Sequence, residues 1–241
     1  MKYMGSKRRI AKEILPIILQ DRKEGQFYVE PFVGGCNSID KVSGPRLGND
    51  SHYYLIKMWQ ALQEGWIPPD IITENDYRNI RNNKDHDPAL AGYVGFSLSF
   101  GGRWFRCYRR DKKGQKDQLE NMIIQSRRSK EAIMRQVPNI KDVIFTNFDY
   151  LDLNIPDESI IYCDPPYANT DTYTGNKNIT GFDHALFWNW CDSLVERGHK
   201  VFVSEYTAPH GWTEVWSKNT IVNISDVVDS KKYVTEKLFT K

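Results

Sequence analysis

This sequence of 241 residues predicts a doubly wound α/β domain with a mainly parallel sheet, interrupted by a small inserted helical domain. Three observations carry that expectation. Short apolar, β-branched or aromatic runs recur, each ending in Gly, Asn, Asp or Pro; stretches of helical periodicity separate them; and one long segment, from about Trp66 to Ile140, breaks the alternation.

In chain order, Ser6 to Arg22 has the spacing of a helix, and Gln26 to Phe32 reads as the first buried strand. Pro45 to Asn49 is the second strand, and Ser51 to Glu64 is the helix that follows it. Asp142 to Phe148, Ser159 to Cys163 and Lys200 to Tyr206 are further strands. A helix over Phe182 to Arg197 is closed by Gly198, where a left-handed residue is favoured. Tyr233 to Phe239 alternates apolar and polar residues, as an antiparallel edge strand or hairpin does. The interrupting segment opens with Pro68-Pro69, offers Thr73-x-x-Asp76 as a capping box, and continues as helix around one Gly-rich aromatic and basic stretch. The expected division is therefore 1–65 with 141–241 as one domain and 66–140 as an insert.

Composition narrows the function. A hydrophobic content of 40% suffices for one substantial core and a smaller appendage. The longest apolar run, Ile14 to Leu19, contains Pro16 and is far too short to cross a bilayer. Met1 to Arg9 is basic but leads into Lys12 and Glu13, not into an apolar segment with a cleavage site, so a cytoplasmic protein is expected. Four cysteines without a C-x-x-C pair and five histidines without a cluster predict neither a metal site nor a disulfide framework. Between Gly101 and Arg135, eleven Lys and Arg stand against four Asp and Glu, a local charge of +7 in a chain of +2. Such a polarised molecule suits a polyanionic partner.

Three stretches carry chemistry. In Tyr28-Val-Glu-Pro-Phe-Val-Gly-Gly-Cys36, Gly34 and Gly35 let backbone approach a ligand at the end of the first strand, where open α/β sheets bind nucleotide-like molecules. Asp50 ends the next strand, at the position where such sheets hydrogen-bond ribose hydroxyls. A tight turn with no ligand fits the glycines equally well. There is no G-x-G-x-x-G and no P-loop.

The second stretch, Ile160-Ile-Tyr-Cys-Asp-Pro-Pro-Tyr167, is more specific. Proline lacks the N–H a central strand requires, so the strand must end at Asp164, and the residues beyond it are held extended. This rigid turn can present the Asp164 carboxylate and the Pro165 carbonyl to the two N–H groups of an exocyclic amine, while the Tyr167 ring stacks on the base. Stacking uses the ring face, which assigns no part to the hydroxyl. The third stretch is Gly101-Gly-Arg-Trp-Phe-Arg-Cys-Tyr-Arg-Arg110 with Lys112, Lys113 and Lys116. Arg103, Arg106, Arg109, Arg110, Lys112 and Lys113 can neutralise phosphates, and the interleaved Trp104, Phe105 and Tyr108 can wedge into or stack on a base step. Packing of these rings in a local core is the alternative.

Asp164-Pro165-Pro166-Tyr167 resembles the D-P-P-Y motif of amino-methyltransferases, and Glu30-Pro31-Phe32-Val33-Gly34 resembles their cofactor-binding glycine motif. Lys2-Tyr-Met-Gly-Ser-Lys7 is similar to K-W-x-G-G-K. With the order glycine motif, recognition insert, D-P-P-Y, about two thirds of the chain resembles the deoxyadenosine DNA methylase family, whose best-known members modify GATC.

The resemblance implies a Rossmann-like methyltransferase fold and transfer of a methyl group from S-adenosylmethionine to the 6-amino group of an adenine extruded from double-stranded DNA. It implies that Tyr3 and Lys7 contact the cofactor, that Glu30, Pro31, Phe32, Gly34 and Gly35 form its turn, and that Asp50 holds its ribose. Phe148 and Asp149 would contact its adenine, and Asp164 would lie between cofactor and target amine. Two positions depart from the pattern: Cys36 stands for the second glycine of F-x-G-x-G, and Ser6 for a glycine of the opening motif. Methylation of the cytosine 4-amino group, action on RNA, and a catalytically silent DNA-binding role are the competing readings. Carbon-5 methylation is disfavoured because no Cys follows a Pro. Nuclease motifs are absent, so restriction would require another protein. The segment Ala168 to Gly181 has the composition of a lid over an extruded base or of a plain loop.

Overall fold

The computed structural model describes residues 1–110, 118–167, 181–223 and 231–241. Its strands are β1 (Tyr28–Glu30), β2 (Arg46–Asn49), β3 (Val143–Thr146), β4 (Ile160–Cys163), β5 (Lys200–Glu205), β6 (Thr213–Asn223) and β7 (Lys231–Thr240). They form one sheet in the order β3-β2-β1-β4-β5-β7-β6. The first five run parallel, and each falls inside a run expected from the sequence. β7 is antiparallel to both β5 and β6.

The last expected strand is thus antiparallel as expected and pairs along its length with β6, as a hairpin strand does, but it is interior and not at the edge. The edge strand is β6, which the alternation pattern does not reveal. Most of its described side chains are exposed, so its identity rests on the ladder with β7 and not on burial.

The helices are α1 (Ala11–Ile18), α2 (Tyr53–Gln63), α3 (Glu74–Asn82), α4 (Pro88–Ser97), α5 (Gln118–Met134), α6 (Val137–Ile140) and α7 (His184–Glu196). The first expected helix is divided. A 3-10 turn over Lys7–Arg9 precedes Ile10, whose φ of −108° and ψ of −11° break the spiral before α1 begins. The Ser6 hydroxyl accepts from the Arg8 amide and caps that turn. Gly198, at φ +86°, ends the segment after α7 as expected.

Alternation along the strands assigns the layers. Tyr28, Ile160, Tyr162 and Phe202 point to one face and are buried with α1, α2 and the inserted helices. Val29, Ile161, Cys163, Val201 and Val203 point to the other and pack on Phe187, Cys191 and Leu194 of α7. With both faces covered, the central strand β4 reads as a continuous apolar run, whereas β3 at the edge alternates and exposes Ile144.

The segment expected as an insert runs from the end of α2 to the start of β3. The Thr73 capping box forms as expected: Asp76 N–H donates to Thr73 Oγ1 at 3.0 Å and Thr73 N–H to Asp76 Oδ2 at 2.8 Å. α4 lies directly on α2, where a Cβ on Gly92 would stand 2.1 Å from the Tyr54 carbonyl oxygen. Tyr77, Tyr93, Phe96 and Ile133 of the insert belong to the same buried cluster as Ile14 and Tyr28. Strand order reverses between β1 and β4, and the crevice outside their carboxyl ends is where such sheets bind ligands.

Candidate active site

Glu30 ends β1, Asp50 follows β2, and Asp164 follows β4, so one end of the sheet carries three carboxyl groups. They line a cavity of about 240 Å³, walled further by Tyr3, Lys7, Phe32, Gly34, Gly35 and Pro166. Phe96 and Trp104 of the insert close its other side.

The glycine turn is fixed atom by atom. Gly34 N–H donates to Asp50 Oδ2 at 3.0 Å, and Gly34 O accepts from the Trp59 indole at 3.0 Å. Gln136, at the far end of the insert, donates to the carbonyls of Gly35 and Cys36 at 3.1 and 3.0 Å. The absence of side chains lets Tyr3 lie on the turn: a Cβ on Gly34 would meet its ring at 2.7 Å, and one on Gly35 its Cβ at 2.7 Å. Cys36 has φ +51°, the left-handed conformation that favours glycine. Ser6 has φ −52°, so a side chain there is unstrained.

Asn49, fully buried, ties three strand ends. It donates to the Pro31 and Phe148 carbonyls at 3.1 and 3.0 Å, while its Oδ1 accepts from Phe148 N–H at 3.0 Å. Asp50 is held on both oxygens, since Oδ1 accepts from His52 N–H at 2.9 Å. Burial raises the Asp50 pKa to about 6, against these two backbone donors. Burial also raises Glu30 to about 8, although the Tyr28 hydroxyl donates to its Oε1 at 2.8 Å. Burial lowers His52 to about 4, and its Nδ1 accepts from Leu55 N–H at 3.3 Å, which leaves the proton on Nε2.

Asp164 is paired. Lys7 Nζ lies 3.0 Å from its Oδ1, 3.6 Å from Glu236 Oε2 on β7, and 4.4 Å from the centroid of the Tyr167 ring. Burial alone would lower the Lys7 pKa, but the two carboxylates more than offset it and hold it above the usual value. Asp164 itself is raised to about 6, because burial and the nearby Glu236 and Glu205 outweigh Lys7. The Tyr167 hydroxyl donates to Glu236 Oε2 at 3.0 Å, and its ring meets Tyr206 edge-on at 4.8 Å.

Pro31, Pro165, Tyr167, Phe148 and Asp149 do not line the cavity. Pro165 is buried behind Asp164 in the turn. Phe148 exposes its ring, and Asp149 caps a 3-10 turn through Leu151 N–H at 3.0 Å. The basic stretch is divided by burial. Trp104, Phe105 and Tyr108, expected at the DNA, turn inward: Trp104 stacks on Tyr54 at 5.2 Å and lies edge-on to His52 at 4.3 Å, Phe105 is buried against Tyr77 at 5.2 Å, and the Tyr108 hydroxyl donates to Ile72 O at 2.7 Å. Arg106 and Arg110 are exposed, and Arg103 and Arg109 are half-buried. Lys112, Lys113 and Lys116 lie outside the described residues, as does the Ala168 to Thr180 part of the expected lid.

A carboxylate at a strand end, followed by two prolines and a tyrosine, thus stands at this cavity. The profile of the D12 class N6 adenine-specific DNA methyltransferase family matches residues 3–94 and 105–235. The chain belongs to this family. A Type II methyltransferase, M.MjaIII of Methanocaldococcus jannaschii, is 21% identical over 246 residues, spanning 85% of this chain and 82% of its own length. Among solved structures, the tRNA (m1A58) methyltransferase TrmI from Aquifex aeolicus is similar over 98% of this chain and 75% of its own, at 9% identity and a TM-score of 0.39. The protein is an adenine-specific DNA methyltransferase with a Rossmann-like sheet, and its activity requires a methyl donor. None of its described helices is long and apolar enough to cross a membrane.

Several groups of this candidate site are not legible in the sequence. Asn49 and Gln136 reach partners 99 and 101 residues distant, and Glu236 sits on a strand far from any of the three motifs. A polar residue at the end of a buried strand was the available signal for Asn49.

Proposed function

We propose that the cavity binds S-adenosylmethionine and that Asp164-Pro165-Pro166-Tyr167 receives the 6-amino group of an adenine extruded from double-stranded DNA. The fit to the cofactor rests on donors and shape. Asn37 lines the cavity, and its Nδ2 is buried with no acceptor among the described residues, a costly state that a polar ligand would relieve. Asp50 would accept from ribose hydroxyls, the Gly34-Gly35 turn would let the ligand lie against backbone, and Tyr3, Lys7, Glu30, Pro31 and Phe32 would complete the walls and their support. Phe148 and Asp149 would border the adenine end.

When bound, the cofactor supplies an electrophilic methyl group on a sulfonium. The chain's own part is to prepare the nucleophile. The adenine amine is weak because its lone pair is delocalised into the ring. Asp164 accepting one N–H and the Pro165 carbonyl the other favour a pyramidal nitrogen with a localised pair. Lys7 occupies Oδ1 of Asp164, which reserves the other oxygen for the amine. The two prolines keep the turn from relaxing. Residues 66–140 would form the DNA-recognition domain, with Arg103, Arg106, Arg109, Arg110, Lys112 and Lys113 on phosphates, and 1–65 with 141–241 the catalytic domain. Unstacking the base costs on the order of a few kcal/mol, which phosphate contacts and stacking on Tyr167 offset.

The observation that carries this reading is Asp164, fixed at a strand end between a buried lysine and a diproline, at the cavity wall. Labelled methyl transfer onto duplex DNA, single-stranded DNA and RNA, followed by nucleoside analysis, tests it. The expected product is N6-methyladenine in duplex DNA. A predominant N4-methylcytosine or RNA product would overturn it.

A further inference from the structure

Glu236 closes a ring of side chains around Asp164. Its Oε2 accepts from the Tyr167 hydroxyl at 3.0 Å and stands 3.6 Å from Lys7 Nζ. Lys7 Nζ in turn is 3.0 Å from Asp164 Oδ1 and lies over the Tyr167 ring, 4.4 Å from its centroid. Each of Lys7, Tyr167 and Glu236 therefore touches the other two, and Lys7 hands the arrangement on to Asp164. Glu236 belongs to none of the three motifs and is 69 residues from Tyr167.

We propose that Glu236 is a positioning residue, which from β7 sets the tilt of the Tyr167 ring and the place of the Lys7 ammonium so that ring and Asp164 meet the base together. The inference rests on the reading that the target base is held by the D-P-P-Y turn. β7 is hydrogen-bonded on both sides, to β5 and β6, and Glu236 pairs with Lys218 in that ladder. The carboxylate is thus delivered from a rigid element, whereas Tyr167 follows two prolines at the end of the described turn. A tyrosine ring anchored only at Cα can rotate about two side-chain bonds. Anchored also at its hydroxyl, it cannot swing without breaking a hydrogen bond to a charged acceptor. Glu236 also takes a share of Lys7. Without it Asp164 is the carboxylate left to the ammonium, beside the Gly5 carbonyl at 3.2 Å, and Lys7 competes more strongly for the lone pairs the amine requires.

The test compares the full-length wild type with Glu236→Ala, Glu236→Gln, Tyr167→Phe and the double variant Glu236→Ala/Tyr167→Phe. Three quantities are read: the single-turnover rate of methyl transfer, the Kd for duplex DNA, and the emission of 2-aminopurine at the target position. Glu236→Ala and Tyr167→Phe should each slow transfer about ten- to hundredfold, the range for a hydrogen bond to a charged group, with DNA affinity within about threefold. The double variant should be no slower than the worse single one, because both remove the same contact. Glu236→Gln keeps an oxygen for the hydroxyl and should recover most of the rate. Emission should be brighter in the Ala and Phe variants, since a loosened ring quenches the extruded base less. Wild-type rates in Tyr167→Phe, or additive losses in the double variant, would overturn the proposal even where Glu236→Ala fails to fold. A wild type that puts no methyl on adenine removes the underlying reading instead.

Discussion

The Asp164–Tyr167 turn and the Gly101–Arg110 stretch are both dense in groups capable of chemistry, and the fold treats them in opposite ways. In the first, the groups stay together because distant elements hold them: Lys7 from the opening segment and Glu236 from β7. In the second, burial divides neighbours. The Trp104 ring fills the space over Gly95, where a Cβ would come within 2.3 Å of it, whereas Arg106 and Arg110 stay in solvent. Aromatic surface is driven inward wherever a small residue leaves room, while guanidinium groups remain hydrated. A run of alternating rings and charges is therefore two surfaces, one at the cavity between the sheet end and Trp104 and one facing outward.

The largest effect expected from that contrast is on the turn. Asp164→Ala should lower turnover by several orders of magnitude and DNA affinity far less, as single-turnover kinetics and a binding titration would show. Near-normal turnover would end the mechanism. The same carboxylate sets the acid limb. With its pKa raised to about 6 by burial, Asp164 is ionised above that pH and protonated below it. Activity that needs the ionised form should fall about tenfold per pH unit below the limb, and a limb near the ordinary aspartate value would contradict the buried site.

Trp104→Ala separates the two roles of the basic stretch. If the ring is a structural wall, its loss should cost about 3 kcal/mol of stability by denaturant titration and weaken cofactor binding. A variant of unchanged stability that loses DNA binding would return Trp104 to the DNA surface. Arg106→Gln with Arg110→Gln should do the reverse. The slope of log affinity against log salt should flatten by about two units while the melting temperature holds, because the Arg110 to Glu74 pair is exposed. An unchanged slope would place the phosphate contacts elsewhere.

Cys36→Gly is expected to have the smallest effect. Relief of the left-handed strain, about 1 kcal/mol, opposes the loss of a small buried side chain, so stability should change by about 1 kcal/mol or less. A loss well above that would show that thiol packing outweighs the strain, and that the departure from glycine carries its own benefit.

The sequence by itself determined the five parallel strands, because each lies in a short apolar, β-branched or aromatic run closed by a turn residue. It also determined the capping box at Thr73, the end of β4 at Cys163, just before Asp164 and the two prolines, and the carboxyl groups at the strand ends, each set by local rules for proline, turns and caps. Only the tertiary structure decided which residues meet. The interior position of β7 depends on its partner β6, whose exposed side chains leave no hydrophobic pattern to read. The orientation of Trp104 depends on Gly95 and Tyr54 on neighbouring helices, and the Lys7 to Asp164 to Glu236 arrangement joins residues from three distant parts of the chain. Periodicity reports whether a side chain is buried. It carries no information on the partner waiting there, which packing between elements alone supplies.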